Sequence, residues 1–280
     1  MFKRVIREVT PPIIYGLIAK LYYRFAHTYR PRWYRIERGI LKGRPIFLDA
    51  RTSSWQSDMV HGTYDRELFE YARNLDLSGK AVFDVGAHVG FHAMCFAELV
   101  GPGGKVYAFE PNSFNRDRMR TILLRSPDLE SRIAVYDLAV SDKCGTARFY
   151  FNPDVESGAS SGSKLGDVYP TVGEEVFRKN EFLPQTVRTT SLDELSLLGV
   201  KDIPALVKLD VEGAECLVLS GAQRILRAHR PVLLIEIHSI VNMLRAEMLL
   251  ATCGYSIELI NEEPDGRCIV AAKSGTTTPD

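Results

Sequence analysis

The chain has 280 residues, 45% hydrophobic and 25% charged, enough for one large globular domain or two small ones; this composition excludes a collagen, a disulfide scaffold and a disordered tail protein. Its 35 basic and 35 acidic residues cancel, so no global positive charge marks a nucleic-acid binder. The balance conceals a split, because residues 1–44 hold 11 Lys/Arg and 2 acidic groups, a net of +9, which leaves −9 on residues 45–280.

At the start of the chain, Thr10 with Pro11 and Pro12 reads as a helix start. Beyond it Ile13, Ile14, Leu17, Ile18, Leu21, Tyr22 and Phe25 recur at helical spacing, with Lys20 and Arg24 off that stripe. Two readings of this basic amphipathic segment stand side by side: a stripe docked on the protein's own body, or a peripheral contact of residues 1–30 with an anionic membrane surface. The apolar run Ile13 to Ala19 is too short to span a bilayer and no cleavage site follows it. Five cysteines, an odd number without a C-x-x-C pair, point to a reducing compartment and against zinc. The expected location is therefore cytoplasmic, with the inner membrane face as the peripheral option.

Residues 1–60 read as this arm followed by a connector from Arg30 to Ser57, with one short strand at Pro45 to Leu48. Residues 61–273 read as the main domain. A helix is expected from Asp65, its cap, to Leu75. Then the period changes. Ala81 to Val85, Lys105 to Phe109, Ile133 to Tyr136, Ala205 to Leu209 and Val232 to Ile237 are short apolar runs, most of them separated by helical stretches, as in a parallel sheet covered on both faces. Tyr255 to Ile260 and Cys268 to Ala272, joined by a turn-rich link, add an antiparallel hairpin, for seven strands in all. Residues 152–185 break the alternation and read as a substrate loop or lid, or as a solvated excursion. Residues 274–280 read as a disordered tail.

Chemistry concentrates after the first strand of the sheet. Asp84 to Gly90 reads DVGAHVG, a strand end followed by a glycine turn that opens a helix, where Gly86, Ala87, His88 and Gly90 bring backbone close to a ligand. The G-x-x-x-G spacing lacks the middle glycine of the dinucleotide fingerprint. Asp84 would repel phosphate and attract a cationic amine or sulfonium. Glu110, about twenty positions on, is placed to accept both hydroxyls of a ribose. Asp137 and Ala139, after the third strand, are candidates for holding adenine.

DVGAHVG, AFEP, LAVSD, TSLDEL and LVKLDVEGAE, in this order, resemble the FkbM family of S-adenosylmethionine-dependent methyltransferases, a branch of the class I Rossmann-like fold. The resemblance spans about Gly62 to Ala272. One departure is His88, where the family commonly has Asn. It implies methyl transfer to oxygen, typically on a sugar, glycolipid or natural product, and a cofactor covered by the region of His61 and Tyr64. Tyr64 would then pack on the methionine arm, with His61 at the acceptor.

A hydroxyl acceptor ionises far above neutral pH, so a base or a cation is needed beside it. Strand alternation pairs Lys208 with Asp210 and Glu236 with His238 at neighbouring strand ends. Two chemistries compete. Either His238 or Asp210 is the general base with Lys208 stabilising the alkoxide, or Asp210, Glu236 and His238 ligate Mg²⁺ or another divalent ion. Lys208 paired with Asp84 or Glu236 in a purely structural role is a further option. Other functions weighed are an NAD(P)-dependent oxidoreductase, disfavoured by the missing fingerprint, and a non-catalytic cofactor-binding subunit. The expected partner is a small-molecule or glycan acceptor, with no nucleic acid; a homo-oligomer is compatible with the sequence.

Overall fold

The computed structural model describes residues 31–51, 53–151, 164–166, 182–263 and 266–275. The expected helix in residues 1–30, most of the 152–185 insertion and residues 276–280 lie outside the described residues. The chain opens with β1 (Arg32–Arg35) and β2 (Pro45–Leu48), then α1 (Ser54–His61) and α2 (Arg66–Arg73). Next come β3 (Ala81–Val85), α3 (Phe91–Val100), β4 (Lys105–Phe109), α4 (Ser113–Leu123), α5 (Pro127–Glu130), β5 (Ile133–Tyr136), β6 (Ala139–Val140), β7 (Gly145–Phe151), β8 (Lys164–Leu165) and β9 (Leu183–Thr190). A 3₁₀ helix (Leu192–Leu198) leads to β10 (Pro204–Leu209), α6 (Glu215–Ser220), α7 (Gln223–His229), β11 (Val232–Ile237), α8 (Ile240–Ala251), β12 (Tyr255–Glu262) and β13 (Cys268–Ser274).

Seven strands form one sheet in the order β12-β13-β11-β10-β3-β4-β5, in which β13 pairs antiparallel with β11 and β12 while the remaining pairs are parallel. This is the expected architecture. Its central strands read as continuous apolar runs because both faces are covered. Val82, Val106, Leu206 and Leu234 face a core with α2, α3 and α4, whereas Phe83, Val85, Val207, Leu209 and Ile235 face a second core with α6, α7 and α8.

Three features were not foreseen. The connector is not irregular: β1 and β2 form a hairpin, Ser53 caps α1 by accepting from the Gln56 amide, and Ile36, Leu41, Ile46, Leu48, Met59 and Val60 join the first core. Asp65 precedes α2 but does not cap it; its backbone is left-handed (φ 48°) and its carboxylate instead bonds His92 Nε2 at 2.6 Å. Finally, β6, β9, β7 and β8 build a second, four-stranded sheet, in which β8 comes from the insertion and carries Leu165 into a small third core.

Candidate active site

The strand order reverses between β3 and β10, and open α/β sheets bind ligands beyond the carboxyl ends of strands at such a point. A cavity of about 610 Å³ lies there, ordinary for a small-molecule site. Gly86, Ala87, His88 and Val89 line it. Gly86 has φ 79°, and a Cβ on it would sit 1.8 Å from the Asp210 carbonyl oxygen, so only glycine lets the ends of β3 and β10 meet this closely. His88 shares the left-handed region (φ 51°) without being glycine, and strain of that kind concentrates at functional sites. Its ring lies 5.4 Å from Trp55, its Nε2 is buried without a hydrogen-bond partner, and burial depresses its pKa to about 4.

Glu110 is buried beside this turn. Its Oε2 accepts from the His88 amide and its Oε1 from the Asn112 amide, both at 2.8 Å. Burial lifts its pKa to about 7 despite those bonds. Leu138, Ala139 and Val140 supply an apolar wall; Trp55, Tyr64 and Phe91 close the opposite side. Tyr64 packs edge-on against Phe91, and burial raises its phenol pKa.

Several expected site residues are not in this cavity. Asp84 is fully buried and faces Lys208 Nζ at 3.4 Å, so its charge is matched inside the sheet and does not reach a ligand. Lys208 also contacts Asp210 Oδ2 at 3.4 Å and donates to the Gly86 carbonyl at 3.2 Å. Burial opposes its charge, but Asp210, Asp84 and Glu236 outweigh that and hold its pKa above the ordinary lysine value. A lysine so enclosed is a structural cation, and the alkoxide-stabilising role is not supported. Gly90 packs against Met119 of α4. Asp137 pairs with Arg116 at 2.7 Å, is half exposed and does not line the cavity. His61 is exposed at the end of α1, its Nδ1 engaged by the Ser57 carbonyl at 2.7 Å.

Asp210, Glu236 and His238 do come together as the strand alternation implies, although His238 is not among the residues lining the cavity. One ligating atom each from Asp210, Glu236 and His238 lie within 4.8 Å of one another. His238 Nε2 is 3.7 Å from Asp210 Oδ1 and 3.6 Å from Glu236 Oε1, is buried, and has no hydrogen-bond partner. Burial opposes protonation of this ring, but the Glu215 hydrogen bond and the Asp210 and Glu212 charges raise its pKa to about 9. To act as a general base or to ligate a cation, His238 must first give up its Nε2 proton, which the surrounding carboxylates oppose. Burial, with help from Asp210, lifts Glu236 to about 8. Asp210 stays below the usual carboxylate value, because Lys208 and His238 outweigh its burial.

Sequence reasoning missed four neighbours of the site. Trp55 lies on the unforeseen α1, and Asp65 was read as a cap. Arg267 bridges Glu236 (2.6 Å) and Glu263 (2.5 Å), a contact created by the pairing of β13 with β11. Asn242 donates to Glu215 Oε2 at 2.6 Å from the first turn of α8. None of the four belongs to a local motif that would mark it.

The family model described as the Methyltransferase FkbM domain matches residues 84–257, which run from the end of β3 into the start of β12. The chain belongs to the FkbM methyltransferase family. Two curated relatives agree. The hexuronic acid methyltransferase AglP of Haloferax volcanii is 28% identical over 215 residues, covering 75% of this chain and 78% of its own. The 31-O-demethyl-FK506 methyltransferase FkbM of Streptomyces tacrolimicus is 30% identical over 202 residues, covering 66% and 75%. The solved structure of methyltransferase FkbM from Methylobacillus flagellatus KT shares the fold, with a TM-score of 0.50 at 19% identity. That match covers 80% of this chain, which spans only 55% of the length of that structure. As an FkbM member the protein is an S-adenosylmethionine-dependent methyltransferase. Among the described residues no helix is long and apolar enough to cross a membrane.

Proposed function

We propose that this protein methylates a hydroxyl oxygen of a small-molecule acceptor, a sugar, glycolipid or natural product, beside a divalent cation held by Asp210, Glu236 and His238. The observation that carries the reading is the convergence of those three ligating atoms within 4.8 Å, beside the glycine turn, where the Asp210 carbonyl closes on Gly86. S-adenosylmethionine supplies a methyl group on a sulfonium, already activated for in-line displacement by the acceptor oxygen. Glu110 accepts from the His88 and Asn112 amides and from the Asn115 side chain, and its remaining acceptor capacity serves the ribose hydroxyls. Leu138, Ala139 and Val140 offer the adenine an apolar wall, and Tyr64 with Trp55 covers the methionine side and excludes water.

Two carboxylates and one imidazole make a hard, oxygen-rich donor set suited to Mg²⁺ or Mn²⁺, with open positions for an acceptor. The unpartnered, buried His238 Nε2 fits such an ion. A divalent ion there would polarise the acceptor hydroxyl and lower its pKa. Lys208, committed to Asp84 and Asp210, is not available for that task.

An oxygen acceptor is supported by the relative whose name denotes a 31-O-demethyl substrate, and a sugar by the relative named for a hexuronic acid. For this chain a hydroxyl fits better than a carboxylate. Among the described residues, Asp58, Asp65, Asp210, Glu212, Glu236 and Glu263 line the cavity with Arg267 as the arginine among them, and would repel an anionic acceptor. The decisive assay is methyl transfer to candidate saccharides before and after EDTA, with Mg²⁺ added back. An O-methyl ether survives mild base, whereas a methyl ester is hydrolysed; a base-labile product, or full activity in EDTA, overturns the corresponding part of the proposal. The +9 charge of residues 1–44 supports a peripheral contact with anionic lipid, suited to a lipid-linked saccharide and to the cytoplasmic membrane face. Flotation with anionic vesicles, comparing the full chain with one lacking residues 1–30, tests it; equal recovery rejects the contact.

A further inference from the structure

We propose that Glu215 is a positioning residue: it fixes the tautomer and the aim of His238 so that Nε2 presents a lone pair to the cation. The inference rests on the reading of Asp210, Glu236 and His238 as a cation site. Its own ground is the hydrogen-bonding around Glu215. That carboxylate has no solvent exposure, although it stands in the first turn of α6, where a residue serving only the helix dipole would point to water. It collects three donors instead. Oε1 accepts from the Gly213 amide at 2.9 Å and from His238 Nδ1 at 2.7 Å, while Oε2 accepts from Asn242 Nδ2 at 2.6 Å. Asn242 also donates to the Gly213 carbonyl at 3.0 Å.

The backbone is bent to allow this. Glu212 (φ 52°) and Gly213 (φ 103°) both adopt left-handed conformations, turning the chain so that the Gly213 amide points back at Glu215. The result joins the turn after β10, which carries Asp210, to the turn after β11, which carries His238. A carboxylate only accepts, so the hydrogen it meets must be on His238 Nδ1. In the neutral ring the lone pair then lies on Nε2, the nitrogen that faces Asp210, Glu212 and Glu236 at 3.5–3.7 Å. Outer carboxylates of this kind orient metal-bound histidines, and losing one typically weakens metal binding 10- to 100-fold.

The test is Mn²⁺ binding to the full chain, followed by electron paramagnetic resonance. Glu215→Gln keeps the side-chain shape and is expected to weaken Mn²⁺ binding at least tenfold, with S-adenosylhomocysteine affinity unchanged. In a His238→Ala background the same substitution is expected to have no further effect, because Glu215 acts through that ring. Undiminished Mn²⁺ binding by Glu215→Gln, or an equal loss in both backgrounds, overturns the inference. A wild-type chain that takes up no Mn²⁺ overturns the cation reading itself. Folding of the variant does not decide the matter alone: ¹⁵N spectra of the wild-type protein with Mg²⁺ are expected to show the proton of His238 on Nδ1, and a proton on Nε2 refutes the assignment.

Discussion

Glu110 carries two requirements that pull in opposite directions. It is buried in the cavity lining, and in the proposed role it must be ionised to accept ribose hydroxyls with oxygens that already take the His88 and Asn112 amides and the Asn115 side chain. Burial wins in the free protein and raises its pKa to about 7. The sign follows. A carboxyl raised from its usual value favours the folded, ligand-free chain at low pH, a contribution lost as pH rises through about 7. Ribose hydroxyls favour the ionised form, so ligand binding expels a proton from Glu110 at mildly acid pH. S-adenosylhomocysteine is therefore expected to bind about tenfold more tightly at pH 8 than at pH 6, with little further gain above. Calorimetry across that range measures it. Glu110→Gln should bind more weakly at every pH and lose the dependence; a flat wild-type profile would remove Glu110 from the ribose. Asp137 teaches the complementary lesson: its position after the third strand suggested an adenine contact, but nothing local announced Arg116 on α4 as its partner.

At the scale of elements, the parallel strands were legible because strands buried on both faces must be apolar throughout, and the glycine turn because only glycine tolerates the approach of β3 to β10. Helix α1 was not legible, since Ser54, Gln56, Ser57 and Asp58 break any apolar stripe and its stability comes from the Ser53 cap and from Met59 and Val60 packing on a distant core. Strands β7 and β9 escaped for a related reason: they mix exposed and buried positions without a continuous apolar run, and they pair with each other across the insertion. Lys208 was visible as a charge in an apolar strand, but its partner depended on register. In the parallel pairing of β10 with β3, Lys208 lies directly beside Asp84, and the two form a buried bridge between neighbouring strands. Removing one member leaves the other charge unmatched, so Lys208→Met is expected to destabilise the protein by about 3–5 kcal/mol. The double variant Asp84→Leu/Lys208→Met should recover most of that loss. Urea unfolding of the three proteins decides the point, and a stable Lys208→Met single variant would contradict a structural role.

For the whole molecule, the cavity is the place where the parts meet. Residues at the ends of β3, β4 and β10, residues of α1 and the Tyr64 segment, Leu165 of the insertion and Arg267 before β13 all line it. A ligand held there ties these parts together, so occupancy should be read in global stability. A ligand at 100 times its Kd that binds only the native state adds about 2.7 kcal/mol. At roughly 2–4 °C per kcal/mol for a chain approaching this size, S-adenosylhomocysteine should raise Tm by roughly 5–10 °C. NADH should leave it unchanged, since the turn lacks the glycine that admits a pyrophosphate. Mn²⁺ should add a shift of its own. The two shifts are expected to separate by substitution: Glu236→Gln should abolish the Mn²⁺ increment while keeping that of S-adenosylhomocysteine, because Glu236 belongs to the cation cluster and Glu110 to the ribose end. Differential scanning fluorimetry of wild type, Glu236→Gln and Glu110→Gln with each ligand measures all of this. Loss of both shifts in Glu236→Gln would mean that the cofactor and the cation occupy one indivisible site, and the division of the cavity into a nucleoside end and an acceptor end would have to be abandoned.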